Sequence, residues 1–145
     1  MSVPQHLRPR TSKAQIIDPS ATAGPKIHIT DASGQLATVT LGTYAVHIIG
    51  KEGVVRTDIG FDPKDGQLYG VSFTGFYRLN LATGKFIGNL GISDANALVF
   101  DGQGVAYTAG FDEFELYTIS VRTSLVSPVG STYPFKSAGD LTLLQ

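Results

Sequence analysis

Apolar and polar residues alternate along most of the chain in runs too short for helices. The clearest series lies between Asp58 and Leu90, where four runs rich in β-branched and aromatic residues cover Asp58 to Phe61, Leu68 to Phe73, Phe76 to Leu81 and Lys85 to Leu90. A period of two sends successive side chains to opposite faces of a sheet, so each run predicts a short strand. Turn chemistry separates them. Asp62-Pro63-Lys64-Asp65-Gly66 divides the first two runs, Thr74-Gly75 the next two, and Ala82-Thr83-Gly84 the last two. Connections this short join antiparallel neighbours, which predicts a four-stranded meander.

The meander recurs. Ala97-Leu98-Val99-Phe100-Asp101 follows Asp58-Ile59-Gly60-Phe61-Asp62 at an offset of 39, and Tyr117 to Thr123 follows Tyr77 to Thr83 at 40. Tyr107 follows Tyr69 at 38 and Val129-Gly130 follows Ile87-Gly88 at 42, with the drift falling in loops. Two partial echoes flank these units. Asp140-Leu141-Thr142-Leu143 restarts the first strand, and Ile27 to Leu36 reads as third and fourth strands by its match to Tyr77 to Phe86.

Four strands per repeat of about 40 to 45 residues is the pattern of β-propeller blades. The quoted residues resemble a bacterial and phage propeller repeat of the form FDxxGxLYG, LYxIxxxTG and a closing VG, over Thr57 to Gln145 together with Lys26 to Gly42. The second unit departs from that form, with Thr123-Ser124 in place of Thr83-Gly84 and a shorter turn at Gly104. The expected fold is therefore all-β: antiparallel blade-like repeats, about three per chain, one of them split between the two ends. A β-sandwich or barrel is the alternative. Function does not follow from the resemblance, because propellers host binding, scaffolding and catalysis alike.

Composition narrows the classes of function. The 145-residue chain has a formal net charge of −1, so no electrostatic argument favours nucleic acid or membrane as partner. With no cysteine, disulfides, zinc thiolates and a Cys nucleophile are excluded. Neither an apolar leader core near Met1 nor a run long enough to span a bilayer is seen, which leads to an expectation of a cytoplasmic or virion-associated protein.

Residues 1–26 form a stretch of different character, and the repeat domain is placed at 27–145. The stretch holds Pro4, Pro9, Pro19 and Pro25, and its basic residues Arg8, Arg10, Lys13 and Lys26 face a lone acid, Asp18. It reads either as a solvated tail or as an arm lying on an acidic surface of a neighbouring subunit. Within it, Ala14 to Ile17 could supply a second strand for the split blade. Thr43 to Arg56 falls outside the repeat and predicts an added hairpin about Gly50 to Gly53.

Candidate chemistry is sparse. His28 sits at a polar strand position, whereas His47, in the added hairpin, is the one histidine with room for a role. No G-x-S-x-G, H-E-x-x-H or P-loop motif occurs. Asp62, Asp65 and Asp101 raise the question of calcium, but a lysine among so few carboxylates suits turn formation better. Tyr69, Tyr77, Tyr107 and Tyr117 suit packing between sheets better than a sugar-binding ring. Phe111 and Phe114, in the acidic loop Gly110 to Glu115, either tuck beneath the blade or form a contact patch.

The expectation is thus a non-enzymatic structural or interaction subunit of a larger assembly, with a virion component as one version and no metal, cofactor or catalytic residues. A carbohydrate-binding propeller is the rival, and a hydrolase or lyase using His47 the third class. Propeller rings hold about 4 to 8 blades, so three per chain predicts completion by self-association, a dimer first. Possible contact residues are Arg8, Arg10, Lys13, His47, Phe111 and Phe114.

Overall fold

A computed structural model describes residues 24–51, 53–73, 75–89, 94–110, 114–123, 125–137 and 139–144. Among them are eleven strands and no helix: β1 (Lys26–Thr30), β2 (Gln35–Thr40), β3 (Ala45–Lys51), β4 (Asp58–Phe61), β5 (Leu68–Ser72), β6 (Gly75–Leu79), β7 (Phe86–Asn89), β8 (Ala95–Phe100), β9 (Ala106–Gly110), β10 (Glu115–Ile119) and β11 (Val126–Ser131). They make three antiparallel sheets in sequence order: β1-β2-β3, β4-β5-β6-β7 and β8-β9-β10-β11. The protein is all-β, and its two four-stranded sheets are the meander and its repeat.

Side chains of the hairpin loops fix the turns. Asp62 Oδ1 accepts a bond from the Lys64 amide at 2.8 Å, and Asn80 Oδ1 one from the Ala82 amide at 2.9 Å. Asp101 Oδ1 takes the amides of Gln103 and Val105, each at 2.9 Å, as Asp31 Oδ1 takes those of Ser33 and Gln35 at 2.8 and 2.9 Å. Each short acceptor mimics a backbone carbonyl and closes the turn locally, before any long-range contact forms.

The second sheet is the centre of the stack. Its register puts Leu68, Gly70, Tyr77 and Leu79 on one face and Tyr69, Val71 and Phe76 on the other. The first face receives Leu36 of the first sheet, with Ile49, Ile59 and Leu81 packed around the same cluster. Against the opposite face lie Ala95, Leu98, Phe100, Ala106 and Ile119 of the third sheet. Tyr69 stacks on Phe76 at 5.4 Å between ring centres and tilts against Phe100 at 5.3 Å. At Gly60 a side-chain carbon would come within 3.1 Å of Leu98 and Phe100, tighter than ordinary packing, so glycine eases the close approach of β4 and β8. Asp58 Oδ2 bridges the same gap by accepting the Leu98 amide at 2.7 Å, and the Thr57 hydroxyl donates to the Ala95 carbonyl at 2.9 Å.

The first sheet corrects two sequence expectations. Thr43 to Arg56 does not fold back as a hairpin of its own: β3 pairs with β2, with Thr38 opposite His47, and residues 54–56 form no strand. Nor are β1 and β2 third and fourth strands. Thr40-Leu41-Gly42-Thr43-Tyr44 matches Asn80-Leu81-Ala82-Thr83-Gly84 at an offset of 40, and Tyr44 has φ 58° where Gly84 has φ 68°. The bulge between Leu36 and Ala37 likewise stands 80 residues before the one between Leu116 and Tyr117. On this alignment β1, β2 and β3 are the second, third and fourth strands of a blade. The match to Tyr77 to Phe86 misled because Asp31 and Asn80 both cap a turn through the amide two residues on, although the rest of the Asp31 turn is bonded like that at Asp101.

Asp140 to Leu143 also differs from expectation. It carries first-strand sequence, yet residues 140–144 form no strand among the described residues. A strand needs a hydrogen-bonded partner, and no described residue supplies one.

Candidate functional site

Two features stand out, a cleft between the second and third sheets and the outer face of the first sheet. The cleft encloses about 610 Å³ beside the turns at Asp62 and Gly104, with Lys64, Asp65, Gln103, Arg122 and Leu125 among its walls. Its position follows from the repeat, since equivalent turns of neighbouring blades must lie side by side.

The carboxylates of the cleft are engaged in holding its walls. Asp62, only 2% exposed, caps the Lys64 amide, and Asp65 takes the Gln67 amide through Oδ1 and the Tyr69 hydroxyl through Oδ2, at 2.8 and 2.7 Å. Burial, together with donation to Asp65, pushes the Tyr69 phenol well above its usual range, so it stays a neutral donor. The expectation that these acids form turns is met in their bonding. Among the described residues no group of three His, Asp or Glu side chains is arranged to hold a metal ion. The remaining groups, Lys64, Arg122, Gln103 and the hydroxyl of Ser127, make a rim of donors suited to hydroxyl-rich or anionic molecules.

Residues singled out from the sequence are scattered rather than convergent. His47 is exposed on β3, and both it and His28 pair with Thr38, so the two imidazoles lie two strands apart, about 9–10 Å. Partial burial lowers the His28 pKa below its ordinary value. Phe114 is half-buried, with Tyr133 at 5.3 Å between ring centres and the Lys136 ammonium 5.2 Å from its ring centre. Of the tyrosines, Tyr69 and Tyr77 are buried, whereas Tyr107 and Tyr117 are half-buried. Arg8, Arg10, Lys13 and Phe111 lie outside the described residues, as does Ala14 to Ile17.

Sequence reasoning missed the outer face of the first sheet. Ile27 and Ile29 on β1 share a face with Ala37 and Val39 on β2 and with Val46 and Ile48 on β3. Val46 is 61% and Ile48 58% exposed, and a groove of about 160 Å³ runs between Ile29, Ala37, Val46 and Ile48. The signal was present in the alternation of Tyr44, Val46 and Ile48, but a strand's apolar side reads the same whether covered or bare.

Comparison with known proteins bears on the architecture. No protein-family profile and no curated protein matches the sequence. Solved structures do. A structural genomics protein of unknown function from Bacteroides thetaiotaomicron superposes with a TM-score of 0.61 at 14% identity, over 79% of this chain and 38% of its own. YCF48 bound to D1 peptide gives 0.51 at 11% identity, over 77% and 40%. The luciferin-regenerating enzyme gives 0.51 at 12% identity, over 84% and 50%. These neighbours are propeller-like.

The fold is propeller-like. Its sheets are blades, stacked through the faces that the second sheet presents to each neighbour. The chain spans half or less of the length of the structures it matches. Among the described residues, no helix is long and apolar enough to cross a membrane.

Proposed function

We propose that this protein is a non-enzymatic structural or interaction module, a set of propeller blades that works as a subunit of a larger assembly. One observation carries the reading: the outer face of the first sheet has the apolar composition of an interface between blades, yet it is open. Contiguous β-branched side chains on one sheet face mark a surface meant to be covered. The cleft supports the same reading from the other side, since its acids are engaged in turns. A basic arm built from Arg8, Arg10 and Lys13 would reinforce such an assembly by lying on an acidic neighbour. A virion of phage type is the narrower version, supported by the likeness of the repeat to phage and bacterial propeller sequences.

Sedimentation of the full chain across a dilution series tests the reading. Native mass should exceed that of one chain and fall on dilution, whereas one chain at every concentration would refute it. The cleft favours a second reading, a carbohydrate-binding propeller. Saturable binding to a glycan array, lost in Arg122→Ala and Gln103→Ala, would establish it.

A further inference from the structure

Among the described residues the first sheet has three of a blade's four strands, and first-strand sequence stands elsewhere in the chain. β1, β2 and β3 correspond to the second, third and fourth strands, so the first-strand position beside β1 has no described occupant. Asp140-Leu141-Thr142-Leu143 has first-strand sequence by its match to Asp58-Ile59-Gly60-Phe61. Among the described residues it pairs with nothing, and Leu144 is fully exposed.

These complementary parts lie at opposite ends of the stack. The first sheet rests on the Leu68 and Leu79 face of the second sheet, and Gly50 meets the Thr83 backbone so closely that no side chain would fit. Gly139 instead abuts Asn96 at the start of β8, where an added side-chain carbon would sit 3.3 Å from Nδ2. Asp140 is near enough to Asp58 for their charges to interact. Segment 139–144 therefore begins beside β8, on the side of the second sheet away from the first sheet.

We propose that a second copy of this chain supplies its Asp140 to Leu144 segment to the β1 edge, completing one four-stranded blade between two chains. The inference rests on the assembly reading above and specifies its geometry. Register follows from the intact blade: β4 pairs with β5 as Asp58 to Val71, Ile59 to Gly70, Gly60 to Tyr69 and Phe61 to Leu68. Carried over by the offset of 40 between β2 and β6, this puts Asp140 opposite Thr30, Leu141 opposite Ile29, Thr142 opposite His28 and Leu143 opposite Ile27 of the other copy. Leu141 and Leu143 then join Ile27 and Ile29 on the bare apolar face. The donor's third sheet, against which its segment already lies, comes down over Val46 and Ile48. In a reciprocal pair the described residues then make six four-stranded blades, two intact and one completed per chain, within the range of about 4 to 8 that propellers adopt.

Because the chain has no cysteine, the register can be trapped directly. Ile29→Cys and Leu141→Cys are made as separate proteins, mixed and mildly oxidised. A disulfide-linked pair containing one of each should form in the mixture and in neither protein alone. Thr142→Pro provides the second readout. Its residue belongs to no ladder within its own chain, so the circular dichroism should be unchanged while the dissociation constant of the dimer rises at least tenfold. Absence of the mixed disulfide, as when the N-terminal arm holds the β1 edge, overturns the proposal. Undiminished association of Thr142→Pro overturns strand exchange alone and leaves the assembly reading standing, whereas a wild-type protein that never associates overturns both.

Discussion

The second and first sheets are built from the same repeat, with the same side-chain-capped turns, yet they occupy opposite situations. The second is covered on both faces, and Phe76, Val71 and Leu79 are fully buried. In the first, only Leu36 and Ala37 among the large and small apolar residues are buried, and Ile27, Val46 and Ile48 meet solvent. Local sequence is therefore not what separates a core position from a surface one here. In a stack of blades each sheet is stable in proportion to what covers it, so the end sheets inherit apolar faces designed for neighbours.

Substitutions can sharpen that contrast. Phe76→Ala should destabilise the protein by about 3–5 kcal/mol, because it empties space between Tyr69 and the third sheet. Ile48→Ala, of similar chemistry, should cost less than about 1 kcal/mol in dilute protein, since its side chain has little burial to lose. Urea unfolding at low protein concentration measures both, and equal losses would break the comparison. Gly60→Val should cost about 1–3 kcal/mol by driving a side chain into Leu98 and Phe100, read in the same assay.

A smaller effect of opposite sign is expected at the turn of the first sheet. Tyr44 occupies the left-handed position that Gly84 takes in the second sheet, and the wrong side of φ costs an L-residue about 1–2 kcal/mol. Tyr44→Gly should therefore stabilise by about 0.5–1 kcal/mol after the entropy of glycine is counted, seen as a raised melting temperature.

The smallest effects concern two aspartates whose pH dependences run in opposite directions. Backbone and side-chain donors from Gln35 and Ser33 hold Asp31 at about 2, so the stabilisation it gives is present above the ordinary aspartate range and lost as pH falls from about 4 towards 2. Burial raises the pKa of Asp58 despite the amides of Leu98 and Ile59. The native state then holds that proton more tightly than the unfolded chain, and stability drops as pH rises above the ordinary aspartate value. Melting curves between pH 2 and 6 should show a shallower acid loss for Asp31→Asn and a flatter decline above pH 4 for Asp58→Asn. An unchanged pH profile in both would count against the two assignments.

The cleft and the open face were legible to different degrees. Asp62, Asp65 and Asp101 could be assigned to turns from spacing alone, because an acceptor two residues before an amide closes a turn without help from the rest of the fold. That Lys64, Gln103 and Arg122 share a cleft could not, since they come from turns of different blades. By sequence, His47 stands in a stretch, Thr43 to Arg56, that falls outside the repeat. Once Tyr44 is seen at the position of Gly84, β3 becomes an ordinary fourth strand and His47 one of its exposed residues.

Strand boundaries, hairpin connections and the 40-residue repeat are short-range properties, set by alternation and by turn residues within a few positions of one another. The sequence by itself therefore determined the second sheet, whose expected runs agree with β4 to β7 to within one or two residues at each end, and the repeat of that meander in the third. The identity of the strands in the first sheet, and which apolar face lies bare, were decided only by tertiary structure. A strand's pattern of alternation specifies that one side is apolar, but packing against a neighbouring sheet decides which strand holds which place and whether that side is ever covered.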